Sequence, residues 1–200
     1  KCLPNCQNID CANPKFRKFW ERMAEAGIPL LAHTGGEHTL QIVRAEYADP
    51  RTLKLPLECG VTVIAAHSAS KSGFTDAEYF HHFAEMALKY PNFYGDNSAF
   101  NIPIRSPIIP KCCEHPLAEK ILHGSDYPVP IFGHWAWMRG YDDWPTSRRW
   151  QKHPNPIERD FQLKRAMGFG DGTFTRVVKL LPPSAVERLK PSASDAVLAG

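Results

Sequence analysis

The stretch IPLLAHTGG at residues 28–36 decides the fold. Ile28 to Ala32 is a short apolar run that empties into His33-Thr34-Gly35-Gly36, so it reads as a buried strand ending in a polar loop. Upstream, Asn13-Pro14 supplies an N-cap and a first-turn proline, and Phe16, Phe19, Trp20 and Met23 then recur at helical spacing until Gly27 stops the run. Downstream the cycle repeats. Asp49-Pro50 opens a helix carrying Leu53 and Leu57, kinked or shortened by Pro56 and closed at Gly60, after which Val61 to Ala66 forms a second buried strand ending at His67. Thr75-Asp76-Ala77-Glu78 reads as a capping box for a third helix running through Phe80, Phe83, Met86 and Ala87 to Pro91. A shorter strand from Phe93 ends in Asp96-Asn97-Ser98. After a proline-broken loop and a short helix near Leu117, Ile121-Leu122-His123 leads into Gly124-Ser125-Asp126-Tyr127-Pro128.

Four helix-then-strand units in about 115 residues predict a parallel sheet, because parallel neighbours need crossover connections, usually helical. The remainder has a different texture. Residues 129–154 form an aromatic stretch, expected to be irregular, that holds four of the five tryptophans. Asn155-Pro156 then opens helical segments expected to reach about Leu181, and Pro182 to Gly200 reads as a tail.

Composition sets the class. The chain has 200 residues, 43% hydrophobic and 22% charged, with a net charge of +3, which describes a soluble globular domain and excludes intrinsic disorder. No window approaches the ~18 uninterrupted apolar residues of a membrane span, and the basic residues are scattered, so neither a membrane nor a nucleic acid is an expected partner. Cysteines stand at 2, 6, 11, 59, 112 and 113 with no C-x2-C spacing. They read as free thiols of a cytoplasmic protein, and a cysteine metal site built from Cys2, Cys6 and Cys11 is disfavoured. The chain opens with Lys1, so the native start, and any signal peptide, is not necessarily shown.

The informative pattern is where polar residues fall. His33, His67, Asp96 with Asn97, and Asp126 each close an apolar strand, and in a parallel sheet those ends lie on one side, where α/β folds place ligands and catalytic groups. Two imidazoles and a carboxylate converging there suit a divalent ion of the zinc, manganese or iron type that activates a water. Taken singly, each has a structural reading: a hydrogen-bonded strand-end histidine, or an Asx turn at Asp96 and Asp126. Glu37, His38 and His123 lie near the same loops, whereas His81 and His82 read as ordinary helix residues.

The strings LLAHTGGEHTL (30–40), GVTVIAAHSAS (60–70), NFYGDNSA (92–99) and LHGSDYPVP (122–130), in this order, resemble the amidohydrolase superfamily. More narrowly they resemble its amidohydrolase-2 branch, which includes aminocarboxymuconate-semialdehyde decarboxylase and its relatives; NPIERDFQLKRAMGF (155–169) is similar to that branch too. The resemblance implies an α/β fold of the (β/α)8 TIM-barrel type with a metal, most often zinc, at its C-terminal face. Residues 1–181 then supply about strands four to eight and the C-terminal helices, Lys1 to Pro4 being the end of the fourth strand and 182–200 a tail. His33 matches the fifth-strand metal ligand. His67 matches the sixth-strand histidine that orients or deprotonates the metal-bound water, and Asp126 the eighth-strand aspartate that touches metal or water. The first-strand H-x-H pair has no counterpart in this sequence. A whole barrel takes ~250 residues, so the chain reads as the C-terminal part of a longer enzyme, ahead of a barrel completed by a partner chain or one that has lost its site.

The expected function is a metal-dependent hydrolase. A non-oxidative decarboxylase of the same branch is the alternative, and a non-catalytic barrel remnant working through protein contacts is the alternative of another class. The expected partner is a small-molecule substrate, a carboxylate or an aromatic, and a homo-oligomer is compatible with the sequence. His38, Asn97, Trp135 and Arg148 are the candidate substrate-binding residues. Trp135 belongs to a tryptophan-rich segment that reads equally as a lid over the substrate or as a packed loop or subunit contact, and Arg148 suits a bidentate grip on a carboxylate.

Overall fold

The computed structural model describes residues 1–188 of the chain. Helix α1 (Pro4–Gln7) is followed by a 3-10 turn at Pro14–Phe16 and by α2 (Arg17–Glu25), with the Asn13 side chain accepting from Lys15 N as the sequence predicts. Strand β1 (Leu30–His33) comes next. The expected helix from Asp49 is divided into a 3-10 turn, Pro50–Leu53, capped by Asp49, and α3 (Lys54–Glu58). Pro56 is accommodated because it lies in the first turn of α3, where an N–H has no intrahelical partner to lose.

Strand β2 (Val63–Ala66), helix α4 (Phe80–Lys89), strand β3 (Phe93–Asp96), helix α5 (Ile109–Cys113) and strand β4 (Ile121–Leu122) complete the repeat. The strands form one parallel sheet in the order β1-β2-β3-β4. Cys2 adds a parallel bridge to Ala32 on the free edge of β1, with Cys2 N donating to Leu31 O and His33 N to Cys2 O, both at 2.8 Å. The Lys1 to Pro4 segment therefore stands where the end of a preceding strand is expected.

The two faces of the sheet differ. Leu30, Ala32, Val63, Ala65, Phe93 and Ile121 belong to the main core with Phe83, Leu53 and Ile109. Gly95 lies on that face, and a Cβ there would stand 2.4 Å from the Phe83 ring. By alternation Leu31, Ile64, Tyr94 and Leu122 take the other face, and so do the strand-end residues His33 and Asp96. This two-faced, helix-backed parallel sheet is part of a (β/α) barrel.

Three expectations are corrected. The Thr75–Glu78 segment forms no capping box: α4 begins only at Phe80, Tyr79 makes no side-chain cap bond, and Glu78 Oε1 accepts from Phe80 N at 3.1 Å. The Asp76 carboxylate is instead taken by Ser72 N and Gly73 N, which holds the segment as loop. Residues 129–154 contain two short helices, α6 (His134–Met138) and α7 (Trp144–Gln151), the second capped by Asp143 on Thr146 N. After α8 (Pro156–Ala166) and α9 (Asp171–Thr175), part of the expected tail is helical, α10 (Pro183–Arg188); the rest of that tail lies outside the described residues. All six cysteines are unbridged, and among the described residues no helix is long and apolar enough to cross a membrane.

Helix α8 is fastened beneath the sheet's C-terminal end by a buried ion pair. Lys164 Nζ donates to Asp160 Oδ2 at 2.8 Å and to Gly124 O at 2.7 Å, while Asn101 Nδ2 donates to Asp160 Oδ1 at 2.5 Å; both charged residues are fully buried. Removing one member of such a pair strands the other charge in low dielectric, at a cost of roughly 3–5 kcal/mol. Lys164→Met should therefore lower the urea midpoint sharply, and adding Asp160→Leu to it should restore most of the loss. Equal destabilisation by the single and double variants would show that the ion pair is not what holds α8.

Candidate functional site

His33 closes β1, and the glycines after it let the chain turn back over the next loop. Gly35 sits at φ +77°, and a Cβ there would stand 2.1 Å from Ser70 O. The His33 side chain is buried, and among the described residues its Nε2 has no hydrogen-bond partner; Glu37 Oε2 stands 3.6 Å from it. Burial pushes the His33 pKa down to about 4, reinforced by Arg105 and opposed by Glu37. His33 is thus a neutral imidazole with an unused buried ring nitrogen.

His67 follows β2 in an unusual backbone. His67, Ser68 and Ala69 have φ of 62°, 48° and 55°, three consecutive residues in the left-handed region that side chains with a Cβ disfavour. Several hydrogen bonds hold them there. His67 N donates to Asp96 Oδ1 at 2.7 Å, Ser68 Oγ to Asp96 O at 2.8 Å, Ala69 N to Thr34 Oγ1 at 3.1 Å, and Ser70 Oγ to His67 O at 2.7 Å. Strain of this kind persists only where the surroundings over-determine it.

The same contacts fix the tautomer of His67. Ser98 Oγ donates its one proton to Asp96 Oδ1 in a short hydrogen bond, so it has none left for His67. Nδ1 of His67, 3.1 Å from Ser98 O and 2.8 Å from Ser98 Oγ, must therefore donate. The lone pair is left on Nε2, which faces Asp126 Oδ2 at 4.0 Å. Burial, with Arg105 and His33 nearby, holds His67 well below the usual histidine range, so it too is neutral. The His33 and His67 rings lie edge to face, 5.0 Å apart between centroids.

Asp126 follows β4, itself at φ +59°. Burial raises its pKa, opposed by Lys1 and Arg105 and reinforced by Asp96 and Glu37. His33, His67, Asp126, Glu37, His38 and Arg105 all line one cavity of about 640 Å³ at the C-terminal ends of the strands. The strand ends thus bring together His33, His67 and Asp126, far apart in sequence.

The other candidates divide. His38 lines the cavity, its Nε2 paired with Asp76. Asn97 is fully buried, and its Oδ1 accepts from Gly124 N at 3.2 Å, so its amide ties β3 to the loop after β4 and is absent from the cavity wall. Trp135 and Arg148 are also absent from that wall: α6 packs on α7 and α7 on α8, and Arg148 lines a separate hollow beside Trp144. His82 lies 3.7 Å from Asp49, away from the site. His123 stands 3.8 Å from Asp160, and burial and Lys164 push its pKa down to about 4.

Sequence reading missed Arg105. It lies in the proline-broken loop after β3, yet it is 4% exposed. Its guanidinium donates to Ser70 O at 2.7 Å, Ser70 Oγ at 2.9 Å and Gly36 O at 3.0 Å, joining the loops after β1 and β2, while Nε has no partner among the described residues. Among the described residues no carboxylate contacts it; Asp126, Asp96, Asp76 and Glu37 act from a distance, and burial lowers its pKa to about 10. Nothing in its local sequence distinguishes it from the scattered surface cations.

Fold and cavity define an α/β half-barrel with a histidine- and carboxylate-lined cavity at the C-terminal strand ends. The amidohydrolase family profile matches residues 4–155, and the chain belongs to that family. In fold it is similar to the crystal structure of an uncharacterized TIM-barrel protein, Bb4693, from Bordetella bronchiseptica, with a TM-score of 0.51 and 17% identity over 82% of this chain. The chain spans 57% of the length of that structure. No curated protein matches the chain in sequence.

Families of this type typically use divalent metals. The donor chemistry is suitable in part: His33 offers a neutral imidazole with an orphaned Nε2, and Asp126 a carboxyl on the same cavity. Among the described residues, however, no group of three or more His, Cys, Asp or Glu side chains is close enough to hold an ion. These residues amount to a partial donor set, since catalytic zinc normally keeps three protein ligands.

The buried imidazoles give a pH signature. Above pH 6.5 neither the folded nor the unfolded chain protonates them. Between 6.5 and 4 the unfolded chain takes up protons that folded His33 and His123, with pKa values near 4, refuse, so stability falls on acidification through that window. Urea midpoints at pH 7.5 and 5 should differ for the unaltered protein and differ less for His123→Asn. Identical pH slopes would contradict the neutral, buried assignment of His123.

Proposed function

We propose that this chain carries the C-terminal part of a metal-dependent hydrolase site of the amidohydrolase-2 type, within the branch that includes aminocarboxymuconate-semialdehyde decarboxylase. The supporting observation is His67, a neutral imidazole locked as the Nδ1–H tautomer with its Nε2 lone pair toward Asp126. His33 and Asp126 would contribute donors to an ion, zinc first and manganese or iron next, with the set completed from outside the described residues. When bound, such an ion supplies Lewis acidity and eases deprotonation of a water.

The chain's own residues do the rest. Nε2 of His67 accepts a proton from the attacking water. Asp126 Oδ2 stands 4.0 Å from that nitrogen, close enough to favour the imidazolium that forms. Arg105 suits the role expected of Arg148: a buried cation on the cavity, with no contacting carboxylate among the described residues, favours a small substrate that carries one. The same arginine supports decarboxylation as the second reading, because there the carboxylate is the group lost.

Hydrolysis of a panel of esters, lactones and amides, run beside measurement of carbon dioxide release from aromatic and enoic carboxylates, tests both. Hydrolysis is expected, with kcat falling on the order of 10²- to 10⁴-fold in His67→Asn. Carbon dioxide release without hydrolysis would replace this reading with the decarboxylase. No turnover of either kind would leave the non-catalytic remnant.

A further inference from the structure

A second histidine–carboxylate pair stands on the same cavity, and neither His67 nor Asp126 takes part in it. His38, in the loop after β1, reaches Asp76, in the loop after β2, with Nε2 at 2.9 Å from Oδ1 and 3.1 Å from Oδ2. The carboxylate is fixed independently: Ser72 N and Gly73 N donate to Oδ2 at 2.8 and 2.6 Å. Burial raises the Asp76 pKa, but these two donors and His38 outweigh it and hold the carboxyl below the usual range, as an anion.

Two glycines make room for the pair. A Cβ at Gly73 would stand 2.5 Å from His38 Nε2, and one at Gly36 would stand 1.8 Å from Asp76 Oδ2. The His38 ring could swing away from a Cβ at Gly73, but at Gly36 a Cβ would also stand 2.5 Å from Ser72 N, a backbone atom that cannot give, so Gly36 is the position that admits the pair. With an anion on Nε2, that nitrogen keeps its proton in either charge state, and Nδ1 becomes the nitrogen that gains or loses one. The ring is half-exposed and lies on the cavity wall, so it can re-equilibrate with solvent between turnovers.

We propose that His38, oriented by Asp76, is the general acid that protonates the leaving group. The inference rests on the hydrolase reading above. Water gives a proton to Nε2 of His67 as its oxygen bonds the acyl carbon; the bond to the leaving atom breaks with its electron pair on that atom, which takes the proton from Nδ1 of His38. His67 has then gained one proton and His38 lost one, and exchange with solvent restores both.

General-acid help matters most when the leaving group is poor, so the test compares phenyl acetate with p-nitrophenyl acetate on the whole chain. His38→Gln and, as a gentler variant keeping the side-chain shape, Asp76→Asn should lose at least tenfold more kcat/KM on phenyl acetate than on p-nitrophenyl acetate, a loss of roughly 10²-fold overall for the poorer leaving group. Added imidazole should recover part of the phenyl acetate rate of His38→Ala. Equal losses on both esters, or none, would overturn the assignment while leaving the hydrolase reading intact. Failure of the unaltered protein to hydrolyse either ester above the buffer rate would overturn both.

Discussion

One carboxylate oxygen governs the site. Oδ1 of Asp96, at the end of β3, accepts from His67 N, Ser98 N and Ser98 Oγ, and so links the end of β2 to the turn after β3. Without it, the left-handed residues at 67–69 would lose the bond that fixes His67 N, and the Ser98 proton would be free to compete with Ser98 O for Nδ1 of His67. The aspartate read from sequence as a turn former is therefore a turn former with a chemical consequence: it places the lone pair of His67 on Nε2.

The second constraint is low dielectric. His33 and His67 are kept neutral mainly by burial, and neutral imidazole is the form that accepts a proton or donates to a cation. Arg105 raises the local positive potential and reinforces that neutrality, yet its main task is mechanical, since it joins the loops after β1 and β2 through carbonyl oxygens at Gly36 and Ser70. Asp126 leans the other way, toward holding its proton. The site thus sets neutral bases beside an acid whose charge is discouraged, an arrangement suited to moving protons.

Much of this was legible in the sequence, and for identifiable reasons. Apolar runs of strand length that end in polar residues at His33, His67, Asp96 and Asp126 fix both the parallel sheet and the side on which the site lies. Periodicity carries that information because it is local. What escaped depends on contacts between loops. Arg105 is one cation among many until the chain folds over it, and Asp76 reads as part of a capping box until His38 and two backbone amides claim it. Trp135 and Arg148 stand out by residue type and by their place after the last strand; they lie on α6, which packs on α7, and on α7, which packs on α8, and neither lines the cavity. Asn97 stands at a strand end yet turns its amide inward to Gly124.

The central claim, that histidine and carboxylate groups from separate strands share one ion-binding cavity, is tested most directly by zinc-edge X-ray absorption on the protein loaded with one equivalent of zinc. The account predicts a nitrogen and oxygen shell at about 2.0–2.1 Å with imidazole back-scattering that weakens in His33→Ala. A sulfur shell near 2.3 Å, drawn from the cysteines, or a spectrum unchanged by His33→Ala, would contradict it.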